Sequence, residues 1–129
     1  MRKLAAVEEA KVLFAEAREW GVWRWLSEKS RVRKTADAAW EALDACESEL
    51  RASWSADLRR AAKADAGLKQ ADAESRQLRL DAEAQFDEAD RRMSISMAAE
   101  GTGMAIDAWE SRERFIRKLE AFARKSADA

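Results

Sequence analysis

The stretch WGVWRWL, Trp20 to Leu26, places three of the chain's six tryptophans within six residues, with Arg24 between Trp23 and Trp25. Tryptophan and arginine dominate binding hot spots, because each offers a large, stiff contact surface with a polar handle. The residues that follow, SEKSRVRK, add Lys29, Arg31, Arg33 and Lys34, so residues 1–35 carry nine basic against five acidic side chains. Successive helical residues are rotated by about 100°, so Trp23 and Trp25 cannot both sit at the centre of one helix face. One of the two is expected at a rim or in the open. Three uses fit such a cluster. It can plug the end of a helical bundle. Trp23, Arg24 and Trp25, with Arg31, Arg33 and Lys34, can contact a protein partner. The same residues can rest on anionic headgroups or on nucleic-acid phosphates, a use that no motif supports.

A second constellation is a charge pair on apolar stripes. Glu47 falls between Leu43, Leu50 and Trp54, and Arg112 falls between Ala108, Trp109, Phe115 and Leu119. A charge in a core is costly unless it is paired. Glu47 and Arg112 are therefore expected to meet and fix the register of two helices. The alternative is that each reaches along its stem to the edge of its face.

Catalytic chemistry finds little to work with. Histidine is absent, which removes imidazole bases, Ser-His and Cys-His nucleophile pairs, and His-bearing zinc or di-iron sites. The single Cys46 supports neither an internal disulfide nor a thiolate cluster. The run Asp81, Glu83, Asp87, Glu88 and Asp90 lacks the spacing of a calcium loop and distributes its carboxylates around a helix, as on a solvated face. The GTG at Gly101–Gly103 is too short for a phosphate loop. No catalytic residue, cofactor, metal or small-molecule substrate is expected.

Composition points to the elements that must carry these residues. Alanine occurs 29 times and proline not at all, while 38% of residues are charged with a net charge of only −1. Strong helix formers with interleaved charges of both signs describe an all-α chain with solvated helix faces, and no global basic field attracts nucleic acid. No run of 18 apolar residues exists, and Glu8, Glu9 and Lys11 interrupt the N-terminus before an apolar signal core forms, so a cytoplasmic protein is expected.

Apolar spacing predicts a first helix over 3–20, with Ala6, Val7, Ala10, Leu13, Phe14, Ala17 and Trp20 on one face and Gly21 as a left-handed residue past its end. A second helix, starting between Ser27 and Thr35, spans 30–66 with a seam from Ala36 through Trp40, Leu43, Cys46 and Trp54 to Ala61. A third covers 70–99. A turn near Gly67–Lys69 would make the two central helices an antiparallel hairpin, with Leu58 facing Leu80, Trp54 near Phe86, Cys46 near Met93 and Leu43 near Ile95. The alternative is one continuous helix over about 30–99. Gly101 then ends that element, Thr102 caps the next, and a last helix spans 103–125.

The expected architecture is one elongated helical domain, 1–129. It is a helical bundle or antiparallel coiled-coil hairpin, with two long central helices and shorter amphipathic helices at each end. The expected role is a non-enzymatic interaction, scaffold or assembly module that pairs with itself or another protein. A peripheral membrane or nucleic-acid factor using residues 20–34 is the competing class.

Overall fold

The computed structural model describes residues 4–127, which form five helices: α1 (Ala5–Ala17), α2 (Val22–Ala52), α3 (Ala56–Ala64), α4 (Ala66–Arg92) and α5 (Ile95–Ala127). No strand occurs among the described residues. The expected helix start at Lys3 lies outside them. No described helix is long and apolar enough to cross a membrane.

Side-chain pairings give the helix directions. Phe86 of α4 lies against Gly101 of α5, and Asp72 of α4 is bonded to Arg112 of α5, so these two helices run antiparallel across a two-residue connection. Lys11 reaches Glu113 at 2.7 Å while Phe14 packs on Trp109, which sets α1 antiparallel to α5. Arg33 meets Asp87 and Asp90, and Arg79 lies over Trp40, which sets α2 antiparallel to α4. The long helices thus alternate up and down as a four-helix bundle, and α3 is a short excursion at the end where α2 gives way to α4. One cluster forms the core, with Val7, Phe14, Val32, Trp40, Leu43, Phe86, Trp109, Phe115, Ile116 and Leu119 inside it.

Breaks in the chain differ from the expected ones at nearly every joint. Gly21 is extended, with φ −77° and ψ 174°, and α2 begins at Val22 immediately after it. Val22 to Leu26 are therefore helical and not a loop ahead of Ser27, while Trp20 and Gly21 form the joint before them. The expected seam through Trp54 is cut at Ser53–Ser55, where the Ser55 hydroxyl accepts from the Leu58 N–H at 3.1 Å and starts α3. The second turn falls at Asp65, whose carboxylate caps α4 by accepting from the Leu68 N–H at 2.9 Å; Gly67 lies inside the helix that follows. A continuous helix over 30–99 is thus interrupted three times.

The third interruption has no glycine. Met93 takes the left-handed conformation, φ 51°, and the Ser94 N–H reaches back to the Ala89 carbonyl at 2.9 Å, the bond that closes a Schellman end. Ser94 then caps α5 by accepting from the Met97 N–H at 3.2 Å. Gly101 ends nothing. It lies within α5, buried, where a β-carbon would stand 3.0 Å from two carbons of the Phe86 ring. Thr102 is likewise mid-helix, and its hydroxyl donates to the Ala99 carbonyl at 2.6 Å instead of capping.

These joints shift the pairing of α2 with α4. Phe86 stacks on Trp25, with ring centroids 5.9 Å apart, and not on Trp54. Because α3 takes up nine residues between the two long helices, Trp40 reaches the level of Arg79, far from the register that a single turn at Gly67 would impose.

Candidate functional site

Arg112 lies in the bundle interior with 0% of its surface exposed. Its Nη2 donates to Glu47 Oε1 of α2, and its Nη1 donates to Asp72 Oδ1 and, at 3.1 Å, to Ser75 Oγ of α4. The sequence-derived pair Glu47 and Arg112 is therefore brought together, and neither side chain escapes to the edge of its face. Nε has no hydrogen-bond partner among the described residues. The guanidinium faces two rings instead, 4.5 Å from the Phe115 centroid and 5.6 Å from that of Trp40, a contact that favours a desolvated cation.

The two carboxylates are shared. Glu47 Oε2 accepts from Arg51 Nε at 2.9 Å, and Asp72 Oδ1 accepts from Arg76 Nε at 3.0 Å. Five charged groups and one hydroxyl thereby join three helices in a chain running Arg51, Glu47, Arg112, Asp72, Arg76. Partial burial pushes the Asp72 carboxyl up, but the hydrogen bond and charge of Arg112, supported by Arg76, outweigh it and hold the group below the usual aspartate range. Asp72 and Ser75 join the Glu47–Arg112 pair beyond what the apolar stripes predict. The available signal was Ser75 itself, a polar residue on the stripe of Leu68, Ala71, Ala82 and Phe86.

The tryptophan segment divides as the helix geometry requires. Trp25 is buried and stacked on Phe86, whereas Trp23 is 81% exposed. Trp20, also buried, packs 6.4 Å from Trp25, and Arg24 covers the Trp20 ring at 4.7 Å. Most cations of the segment have partners within the chain. Arg33 donates to Asp87 and Asp90 at 2.9 Å each, Lys29 lies 3.8 Å from Asp90, and Arg31 donates to Glu28 at 3.0 Å. Burial lowers the Arg33 pKa, yet hydrogen bonds to Asp90 and Asp87 and their charges raise it further, so this guanidinium is locked as a cation. Lys34 is exposed and has no such partner among the described residues. Glu83, Asp87, Glu88 and Asp90 of the acidic run make surface ion pairs and Asp81 accepts from the Gln77 amide, and no group of three metal-ligating side chains occurs among the described residues.

A largely apolar groove lies at this end of the bundle, with the paired Lys29 and Asp90 and with Ser94 in its lining. Val22, Leu26 and Met93 are exposed and line this groove of about 260 Å³ between the start of α2 and the α4–α5 joint, floored by Trp25, Ala89 and Ile95. Trp23 stands beside it, one turn from Leu26. The left-handed Met93 is what turns the chain there and leaves its side chain outward.

Comparison with protein families, with curated proteins and with solved structures finds no match to this chain.

Proposed function

We propose that the protein is a non-enzymatic helical assembly module that associates with a second copy of itself through the open end of α2. The carrying observation is Trp23, a large indole 81% exposed beside a groove whose exposed lining is Val22, Leu26 and Met93. Leaving a tryptophan in water beside further apolar surface is unfavourable unless something covers it. A twofold dimer suits this patch, since each copy offers both a protruding ring and a groove, and an isologous contact uses the same surface twice.

The charged groups support a structural role. Arg112 binds Glu47 and Asp72 and so ties three helices together. Membrane or nucleic-acid contact through residues 20–34 is less well supported, because Arg31 and Arg33 are paired with carboxylates of the same chain.

Sedimentation equilibrium over a hundredfold concentration range tests the proposal. The expected particle has twice the 14.6 kDa chain mass at high concentration. Trp23→Glu is expected to return it to the monomer with unchanged helicity. A monomer throughout, or a dimer indifferent to Trp23→Glu, overturns it.

A further inference from the structure

At the other end of α2, roughly 42 Å along the helix axis from Trp23 at 1.5 Å per residue, the surface has the opposite character. A cleft of about 750 Å³ opens between the end of α2, α3, the start of α4 and α5. Five cations line it, Arg51, Arg59, Lys63, Lys69 and Arg76, against two carboxylates, Glu47 and Asp72. Both carboxylates are also bound from behind by Arg112. With Arg112 counted, the site carries a surplus of four positive charges in a chain whose net charge is −1.

The arginines are held in place. Arg51 is tied through Nε to Glu47 at 2.9 Å and Arg76 through Nε to Asp72 at 3.0 Å. Both Nη groups of each have no partner among the described residues. Arg59 donates through Nε and Nη2 to the Arg51 carbonyl at the end of α2, at 3.3 and 3.1 Å, and through Nη2 to the Ala52 carbonyl at 3.4 Å, while its Nη1 has no partner among the described residues. Lys63 and Lys69 make no ion pair among the described residues. Fixing a guanidinium at its inner nitrogen while its outer donors stay open removes much of the ordering cost of gripping an oxyanion, and fork-shaped donors match phosphate.

We infer that this cleft binds a small ligand carrying an oligophosphate group. The cations converge from three helices into one concavity of ligand size; they do not form the extended stripe that tracks a nucleic-acid backbone. Leu68 and Phe115 at the base give an apolar floor to the part of such a ligand that bears no charge. This site is independent of the dimer contact, so each stands or falls alone.

Isothermal titration calorimetry with inorganic tripolyphosphate is the direct test, with adenosine triphosphate and a single-stranded oligonucleotide as parallel titrants. Saturation at one tripolyphosphate per chain is expected, weakening as salt rises. Lys63→Glu with Lys69→Glu is expected to lower affinity at least about tenfold, the scale of losing charge-assisted bonds. Both lysines are exposed, and circular dichroism verifies that the fold persists. Lys34→Glu, a remote exposed cation, leaves binding unchanged. Equal affinity for tripolyphosphate and the nucleotide supports recognition of phosphates alone; tighter nucleotide binding supports the same site with the apolar floor engaged. No saturable tripolyphosphate or nucleotide binding, equal weakening by Lys34→Glu, or oligonucleotide binding that tripolyphosphate does not displace each overturns the inference.

Discussion

Arg112 of α5 and Glu47 of α2 form an ion pair in which the cation is wholly out of water. Removing one partner of a buried pair typically costs about 3–5 kcal/mol, because the other is left desolvated and uncompensated. Here the loss is expected to be unequal, since Glu47 retains Arg51 and Asp72 retains Arg76 if Arg112 is removed. Glu47→Gln and Arg112→Met, made singly and together, are expected to show a coupling of about 1–3 kcal/mol in urea unfolding. Strictly additive losses would remove the case for an energetic link between α2 and α5.

Asp72 predicts a pH dependence of definite sign. Its carboxyl titrates below the usual aspartate range in the folded chain. The unfolded carboxyl therefore takes up its proton first as pH falls. The stabilisation is fully present above the unfolded pKa and is lost as pH falls through the lower, folded one. Urea midpoints measured from neutral pH into that acid range are expected to fall less steeply for Asp72→Asn than for the parent. Parallel curves would show that Asp72 contributes nothing to the acid limb.

Gly101 should not tolerate a methyl group. A β-carbon there meets Phe86 at 3.0 Å, and Phe86 has little room to move because it stacks on Trp25 and abuts Phe14 edge-on with centroids 6.1 Å apart. Alanine favours a helix over glycine by about 1 kcal/mol, while overpacking a core costs about 1–3 kcal/mol. Gly101→Ala is expected to be destabilising overall, and Phe86→Leu is expected to cost less in that background than in the parent. A more stable Gly101→Ala variant by thermal unfolding would mean that the ring yields.

Two tryptophans two residues apart should behave oppositely. Trp25→Ala empties a buried site between Trp20 and Phe86 and is expected to cost about 3–5 kcal/mol. Trp23→Ala is expected to change the stability of the dilute monomer by less than about 0.5 kcal/mol, since the ring is exposed. Comparable losses at both positions in chemical denaturation would contradict this division.

The sequence is most informative where one helix decides the matter. The exposure of one tryptophan in WRW follows from rotation per residue, and the meeting of Glu47 with Arg112 follows from each lying on an apolar stripe. The joints are less legible because the chain turns without its usual punctuation. Met93 occupies a left-handed position that glycine usually fills, while Gly101 is a glycine because Phe86 needs the space. The glycine-based expectations at Gly21, Gly67 and Gly101 fail for one reason: packing and capping, not the backbone freedom of glycine, set these positions. The Ser55 and Asp65 caps were present in the sequence, but the alanine-rich seam on either side kept its phase and concealed them. Asp72 entered the network unannounced, because a carboxylate on the flank of a stripe looks solvated until the partner helix is in place.

The short helix α3 has a dynamic consequence. It holds nine residues, fewer than the 12–15 or so at which an isolated helix becomes marginal, and Ala62 is the residue it buries. Its hold on the bundle is therefore weak, and its amides should exchange with solvent through local opening at far lower free energy than those of α4 or α5. The wall of the basic cleft that bears Arg59 and Lys63 is thus held mainly by its caps at Ser55 and Asp65 and by the Arg59 bonds to the end of α2, and a ligand gripped there would slow its exchange.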